Sequence, residues 1–333
     1  MYRFIKKLLF LMDAETAHHW TMMLLRLSKG FGFKYQSRKN HSFVMNLKFT
    51  NRLGLAAGLD KNGIAMDAWK NLGFGFVEIG TVTPRPQYGN PKPRLFRLIQ
   101  DLALINRMGF NNEGMEVIYQ RLKKEKPKNL IVGVNIGKNK DTPIEKAIED
   151  YVLCFDQFYN LADYIVVNVS SPNTPNLREL QDREHLYHLM QALNQRSLEL
   201  KSTTPKLLKI APDLNTDQLN AIVDLIELFN WEGVVACNTT VERAGLKSAA
   251  DVINRIGNGG LSGAPITSLS NERISYLRSK LSKHRIIIGV GGIMSAEDAV
   301  EKFKAGADLI QLYTGFIYQG PQLIKTILSD SRL

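Results

Sequence analysis

Residues 168–176, Asn-Val-Ser-Ser-Pro-Asn-Thr-Pro-Asn, carry side chains that suit the binding of a small polar molecule. Three asparagines and three hydroxyl groups supply neutral hydrogen-bonding atoms, and two prolines stiffen the backbone. The apolar residues 164–167 before them predict a buried strand, so these side chains follow a strand end, where α/β enzymes place their chemistry. On composition alone, a solvated turn explains the segment equally well.

Eight short apolar runs alternate with longer amphipathic stretches after about residue 50. This alternation is typical of parallel strands joined by crossover helices, and eight strands close a (β/α)8 barrel. A doubly wound open sheet is the alternative, but it would use a GxGxxG turn that the sequence lacks. We therefore predict an α/β fold, a TIM barrel with strands at residues 53–57, 76–80, 131–135, 164–169, 207–211, 233–238, 286–290 and 308–312.

Polar or glycine residues recur just past all eight predicted strands, at the edge where such barrels build active sites. Any one of them also fits an ordinary loop or core residue, but together they favour a shared site. They are Asp60, Lys61, Thr81, Asn135, Asn168, Ser171, Lys209, Asn238, Thr239, Gly291, Gly292, Tyr313 and Thr314.

Glycines follow the last two predicted strands, where barrels commonly bind phosphate and where a missing Cβ lets backbone amides approach an anion. Because GxGxxG and GxxxxGKS/T motifs are absent, the glycines indicate a mononucleotide cofactor such as FMN. Lys209 interrupts an apolar strand, and we expect it to donate to the electron-rich pole of a reduced flavin, while Lys61 meets a substrate carboxylate. A Schiff-base lysine is the alternative chemistry.

The charge and cysteine content of the chain limit the kinds of partner that it can have. The chain has 43 Lys and Arg against 32 Asp and Glu, a formal net charge of +11, and eight of these basic residues lie in residues 1–40 with only two acidic ones. This distribution favours an anionic surface and does not by itself indicate nucleic acid. Because Cys154 and Cys237 form no paired-ligand motif, we expect no metal site and no iron–sulfur cluster in this chain, and no iron–sulfur partner. Residues 8–12 are too short for a secretory signal or a bilayer span.

Residues 1–40 are predicted to form an amphipathic helical extension, and residues 41–333 the barrel. Asp13 is expected to cap a helix from Thr16 to about Lys29 with a broad apolar surface. Before it, Lys6 and Lys7 stand among apolar residues, which suits an anionic lipid interface. An ordinary domain-capping helix pair is the alternative.

Taken together, these motifs closely resemble the dihydroorotate dehydrogenases of the membrane-associated, quinone-reducing class, over nearly the whole chain. The most specific segments are residues 56–63, 80–87, 106–112 and 168–177, supported by residues 288–293. The resemblance implies oxidation of (S)-dihydroorotate to orotate through FMN, with a membrane quinone as acceptor, in pyrimidine synthesis. It also implies peripheral attachment to the cytoplasmic side of the cell membrane.

The resemblance further assigns roles to individual positions. Ser171 matches the base that removes a proton from C5 while hydride leaves C6, where the related soluble class has cysteine. Cys237 departs from the threonine that the family usually has. His18 and Arg97 match contacts to the quinone. FMN is expected to contact Ala57, Gly58, Leu59, Asp60, Lys61, Thr81, Asn135, Asn168, Lys209, Cys237, Gly263, Gly292, Tyr313 and Thr314. Dihydroorotate is expected to contact Lys61, Asn106, Arg107, Met108, Gly109, Phe110, Asn168, Asn173, Asn238 and Thr239.

Three other functions stay open on the sequence. A soluble enzyme of the related class would use fumarate or, through a partner, NAD; Ser171 and the basic apolar extension argue against it. A barrel aldolase would form a Schiff base on Lys209. A membrane-binding module without enzymatic activity would leave the polar strand ends unexplained.

Overall fold

The computed structural model describes residues 2–28 and 41–333. Lys29, Lys34, Arg38 and Lys39 of the basic extension, and the predicted domain boundary after residue 40, fall outside the described residues. The strands are β1 (Ser42–Val44), β2 (Leu47–Phe49), β3 (Leu53–Leu55), β4 (Phe76–Val82), β5 (Leu95–Leu98), β6 (Ala103–Asn106), β7 (Ile131–Ile136), β8 (Tyr164–Asn168), β9 (Lys206–Ile210), β10 (Gly233–Ala236), β11 (Gly260–Gly263), β12 (Ile286–Val290) and β13 (Leu309–Leu312). The helices are α1 (Tyr2–Leu11), α2 (Ala14–Leu27), α3 (Met66–Leu72), α4 (Met115–Glu125), α5 (Ala147–Phe158), α6 (Arg183–Glu199), α7 (Thr216–Leu228), α8 (Ala250–Ile256), α9 (Thr267–Lys280), α10 (Ala296–Lys304), α11 (Thr314–Gln319) and α12 (Pro321–Ser329).

Eight parallel strands close into a barrel in the order β3, β4, β7, β8, β9, β10, β12 and β13, with β13 pairing back onto β3. These are the eight strands predicted from the apolar runs, with ends that differ by no more than two residues. The predicted TIM barrel is therefore confirmed.

Alternation of side chains along each strand builds two apolar layers. Phe76 and Leu207 pack inside the barrel, while their neighbours Val77 and Leu208 pack outward against the helices. At the amino end of the barrel the β1–β2 hairpin places Phe49 against Phe76, edge to face, with ring centroids 5.3 Å apart. This end is thus filled with apolar side chains, which leaves the opposite, carboxyl end for a site.

A second sheet joins β5, β6 and β11 in antiparallel pairs. In its register Asn106, the last residue of β6, pairs with Gly260 of β11 and Leu95 of β5. The loop after β6, residues 107–110, therefore leaves from a sheet that is separate from the barrel.

The amino-terminal helices pack against this second sheet and α11. The Asp13 carboxylate caps α2 by accepting from the backbone N–H groups of Glu15 and Thr16, each at 3.0 Å. Glu15 then forms an ion pair with Arg94, with 2.6 Å between Oε1 and Nη2, and both side chains are largely buried. The predicted helix and its cap are confirmed, although the helix begins two residues earlier.

The outer side of α1 and α2 remains apolar and exposed. Leu11 is 85% exposed and Leu24 is 59% exposed, and the side chains of Phe4 and Leu27 are exposed as well. No helix within residues 2–28 and 41–333 is long and apolar enough to cross a bilayer.

Candidate active site

A cavity opens at the carboxyl end of the barrel. Its walls come from the strand ends, from the β5–β6–β11 sheet and from the loop after β8. Of the residues predicted to contact cofactor or substrate, it brings together Ala57, Gly58, Lys61, Thr81, Asn106, Met108, Gly109, Phe110, Asn168, Ser171, Asn173, Lys209, Cys237, Asn238, Thr239, Gly263, Gly292, Tyr313 and Thr314.

The cavity wall carries positive charge. Among the described residues that line it, Lys61 and Lys209 are charged and none is a carboxylate. Neutral amide, hydroxyl and apolar groups make up the rest of the lining. Such a wall favours a ligand that has anionic groups and a flat polar ring.

Lys61 stands near the mouth of the barrel, where its Nζ donates to the Gly58 carbonyl at 2.8 Å. Burial lowers the pKa of Lys61 to about 8, while the nearby carboxylate of Glu15 acts in the opposite direction. An ammonium group with one protein acceptor has donors left for a ligand carboxylate.

Asn168, at the end of β8, belongs to a buried group of amides and hydroxyls. Its Nδ2 donates to Thr81 Oγ1 at 2.9 Å and to Asn135 Oδ1 at 3.1 Å. Its Oδ1 accepts from the Ser170 hydroxyl at 2.9 Å, which in turn accepts from Asn238 Nδ2 at 2.9 Å. The strand ends of β4, β7, β8 and β10 are thus joined by one hydrogen-bonded network.

Ser171 lies on the loop after β8 and is 5% exposed. Its Oγ accepts from the backbone N–H of Asn173 at 3.2 Å, so its own hydroxyl hydrogen is not needed for that bond. Among the residues that the structure describes, the buried Thr174 Oγ1 has no hydrogen-bond partner. The loop therefore presents hydroxyl groups with hydrogen-bonding capacity to spare.

Arg178 ties this loop to the loop after β10. Its guanidinium donates to the carbonyl oxygens of Ser170 at 3.2 Å and Thr239 at 3.0 Å. A third bond, at 2.8 Å, joins it to the carboxylate of Asp213. One side chain thus holds together the loops that carry Ser171 and Asn238.

At the opposite side, the glycines after β12 keep the backbone in conformations that other residues rarely adopt. Gly291 has φ +113° and Gly292 has φ +75°, and a Cβ on Gly292 would lie 2.2 Å from Thr267 Oγ1. Nearby, the hydroxyls of Ser262 and Thr314 are 2.8 Å apart. This wall offers backbone and hydroxyl groups, which suit a phosphate.

Four of the predicted contact residues do not line the cavity: Leu59, Asp60, Asn135 and Arg107. The Asp60 carboxylate is buried and accepts from the N–H groups of Ile64, Ala65 and the Trp69 ring, so it anchors the start of α3, and burial raises its pKa. Asn135 lies one layer deeper, behind Thr81.

Arg107 also points away from the cavity. It donates to the carbonyls of Ile256 and Asn258, and its guanidinium lies 4.7 Å from the centre of the Phe96 ring. Its side chain holds the segment before β11 against the second sheet. Its neighbours Met108 and Phe110 do line the cavity.

Cys237 lines the cavity but is buried, and burial raises the pKa of its thiol to about 12. The thiol therefore stays protonated and acts as a small side chain. Neither Cys237 nor Cys154 is in a disulfide. Within the described residues, no group of three His, Cys, Asp or Glu side chains is placed to hold a metal ion.

His18 and Arg97 connect the amino-terminal helices to the body. His18 Nε2 lies 2.8 Å from the Leu59 carbonyl, and burial lowers the pKa of His18 to about 4, so the ring is neutral at pH 7. Arg97 donates to the carbonyls of Leu9 and Met12 rather than to a carboxylate. The two side chains hold α1 and α2 in place, and the structure does not bring them into the lining of the cavity.

Sequence reasoning missed several site residues. Gln311 lines the cavity, and Glu78 and Arg178 organise it from behind. Glu78 could have been identified from the sequence, because a carboxylate inside the apolar run of residues 76–79 is as unusual as Lys209 in its own strand. No sequence feature identifies Arg178 as a site residue, since its carbonyl acceptors belong to loops that are distant in the chain.

Comparison with known proteins agrees with this geometry. A family model described as dihydroorotate dehydrogenase matches residues 41–331. A dihydroorotate dehydrogenase (quinone) of Christiangramia forsetii is 51% identical over 332 residues, which cover 97% of this chain and 96% of that protein. One of Shewanella denitrificans is 46% identical over 341 residues, which cover 100% of this chain and 99% of that protein. A crystal structure of DHODH in complex with ferulenol from Eimeria tenella has a TM-score of 0.87 at 36% identity, and covers 94% of this chain and 89% of that one.

Proposed function

The chain belongs to the dihydroorotate dehydrogenase family, and from that premise we infer that it oxidises dihydroorotate to orotate with a quinone as the electron acceptor. It is a flavin-dependent oxidoreductase of pyrimidine synthesis. Fumarate or NAD as acceptor, and a Schiff-base aldolase, find no support among relatives that are named for quinone.

We propose FMN as the flavin. The observation that carries this assignment is a cavity wall with two lysines and no carboxylate among its described residues, because FMN has one phosphate and an anionic reduced ring. Gly263, Gly292 and Thr314 would hold the phosphate end, and Thr81 and Lys209 the ring. When bound, FMN supplies a two-electron acceptor for the hydride that leaves C6 of dihydroorotate.

Lys61 would bind the substrate carboxylate, since its ammonium group has donors to spare and none of the described acidic residues lies within hydrogen-bonding distance of it. Asn106, Asn173 and Asn238 would pair with the carbonyl and N–H groups of the ring. Met108 and Phe110 exclude water from the same wall.

Ser171 would remove the C5 proton. Its Oγ is fixed by the Asn173 N–H, it is nearly buried, and its hydrogen is free to be passed on. Thr174, whose buried hydroxyl has no partner among the described residues, follows Ser171 by three residues in the same loop, and we propose that it takes part in that transfer. The neutral amides around Ser171 are already oriented by the fold, so they can stabilise the negative charge that develops on the substrate.

We further propose that α1 and α2 attach the enzyme to the cytoplasmic side of the cell membrane and admit the quinone near His18 and Arg97. The exposed apolar side of these helices and the exposed Lys7 support attachment without a spanning helix. Residues 1–40 would then act as a membrane module and residues 41–333 as the catalytic barrel.

The test is an anaerobic titration of the purified holoprotein. A yellow protein should bleach on addition of dihydroorotate and recover its colour with a ubiquinone or menaquinone analogue, but not with fumarate or NAD⁺. Protein that is folded and neither holds nor accepts FMN would contradict the assignment. For the membrane, the full chain should sediment with anionic vesicles, and Leu11→Ser with Leu24→Ser should release it.

A further inference from the structure

A buried carboxylate lies behind the cavity wall. Glu78 stands on β4, three residues before Thr81, and is 0% exposed. Its Oε1 accepts from Asn135 Nδ2 at 2.7 Å and its Oε2 accepts from Gln311 Nε2 at 2.7 Å. Lys209 Nζ lies 3.7 Å from Oε1. A carboxylate in such a place is costly unless opposite charge and hydrogen bonds compensate for its lost hydration.

Glu78 dictates which way the Asn135 amide faces. An ionised carboxylate only accepts hydrogen bonds, so Asn135 must turn its Nδ2 toward Glu78. Its Oδ1 then faces the lining residues of the cavity and accepts from Thr81 Oγ1 at 2.5 Å and from Asn168 Nδ2 at 3.1 Å. The orientation of one amide is therefore set by the charge behind it.

This orientation passes along the network to the substrate side. Because Asn168 Nδ2 is used, its Oδ1 accepts from the Ser170 hydroxyl, at 2.9 Å. The same hydroxyl accepts from Asn238 Nδ2, also at 2.9 Å, and Asn238 Oδ1 accepts from the Thr239 N–H at 2.8 Å. In every side-chain hydrogen bond along the path from Asn238 back to Glu78, the donor thus lies on the Asn238 side and the acceptor on the Glu78 side.

Glu78 also sets the charge of the wall. Lys209 lines the cavity, and no carboxylate is found among the other described lining residues. Glu78, 3.7 Å behind Lys209, therefore opposes the positive charge that a bound ring experiences. Without it, Lys209 would favour an electron-rich, reduced ring more strongly.

We propose that Glu78 is a positioning residue, which fixes the direction of the amide network from Asn135 to Asn238 and moderates the charge of Lys209 on the flavin. This inference rests on the proposed function, since it names what holds that site in register. Glu78 is fully buried and does not line the cavity, so it acts through Asn135, Gln311 and Lys209.

The test uses Glu78→Gln and a double variant, Glu78→Gln with Asn135→Asp. The glutamine amide of the single variant presents one donor where the wild type has two acceptors, so it opposes either Asn135 Nδ2 or Gln311 Nε2. In the double variant, the aspartate carboxylate restores an acceptor for Thr81 and Asn168 and accepts from the introduced glutamine amide. It also returns the negative charge one position nearer to the cavity.

Holoproteins are compared by two measurements other than turnover: the reduction potential of the bound flavin and orotate affinity from the change in flavin absorbance. Glu78→Gln should move the potential to more positive values and weaken orotate binding by about 5- to 100-fold, the effect of one mispaired buried hydrogen bond. The double variant should recover most of both.

Unchanged potential and affinity in Glu78→Gln would overturn the inference, as would a double variant that folds and holds flavin but recovers neither. If Glu78→Gln loses its flavin or unfolds, recovery of flavin content and thermal stability in the double variant supports the proposal, and no recovery refutes it. A wild-type protein that is not reduced by dihydroorotate would instead refute the proposed function, while the thermal stability of the three apoproteins would still test the network.

Discussion

Lys61 gives a direct relation between pH and ligand binding. Burial lowers its pKa to about 8, and only the charged form can pair with the carboxylate of orotate. Since the protonated form binds, affinity should be nearly constant up to about pH 7 and fall as the pH rises through 8. The ligand carboxylate stays ionised throughout, so the change belongs to the protein.

The magnitude follows from the titration of one group. With a pKa of about 8, Lys61 is about 90% charged at pH 7 and about 10% charged at pH 9, so orotate binding should weaken up to roughly tenfold between them. Replacing Lys61 by Met removes a charge-assisted hydrogen bond of about 1.5–3 kcal/mol, which corresponds to a loss of roughly 10- to 150-fold at pH 7.

The assay is a titration of the oxidised holoprotein with orotate, followed by flavin absorbance, at half-unit steps from pH 6.5 to 9. Lys61→Met should bind weakly with no step near pH 8. Lys48→Met, at the amino end of the barrel, is the matched control and should reproduce the wild-type curve.

Two results would refute the reasoning. One is a wild-type affinity that does not change between pH 7 and 9. The other is a Lys61→Met protein that shows the same decline as the wild type, because another group would then be responsible.

Ser171→Ala should retain FMN and bind orotate, yet slow single-turnover flavin reduction by dihydroorotate about 10²- to 10⁴-fold; wild-type rates in stopped flow would remove Ser171 from its proposed role. Lys302 is fully buried, donates to Ser270 at 2.9 Å, and has a pKa lowered by burial to about 8. Its charge therefore destabilises the fold below pH 8, and the penalty disappears between about pH 8 and 10.5. Urea unfolding should show Lys302→Met more stable by up to about 3 kcal/mol at pH 7 and nearly equal to wild type at pH 10.5, with the exposed Lys304→Met as control; equal stability at pH 7 would contradict this. Arg178→Lys should raise KM for dihydroorotate and lower kcat, so that kcat/KM falls about tenfold while the flavin content stays full. Unaltered steady-state kinetics would show that the loops after β8 and β10 keep their positions without the guanidinium.

The barrel was predictable because its strands are buried on both faces and read as continuous apolar runs. The β5–β6–β11 sheet was not predicted, since β11 is Gly-Leu-Ser-Gly and has low strand propensity of its own. It exists because tertiary pairing with β6 supplies the hydrogen bonds. Strand periodicity contains no information about such a pairing.

Within the site, residue type and strand position were sufficient to place Lys61, Asn168 and Lys209 in the lining of the cavity, and their ligand contacts stay predictions. They were insufficient for Asp60, whose position after β3 is equally suited to anchoring α3, and the choice depends on the distant Trp69 N–H. Arg178 shows the same limit, because its role is defined by carbonyl groups that only the folded chain brings together.

The pairing of β6 with β11 joins residues 103–106 to residues 260–263. During synthesis the ribosome must release more than 150 further residues after Asn106 before its partner strand exists. Contacts so distant in the chain form late, because closing a long loop costs entropy before the contact stabilises anything. The wall that carries Asn106 and Phe110 is therefore completed only after six of the eight barrel strands have been made, and a nascent chain that stalls earlier lacks that wall together with β12 and β13.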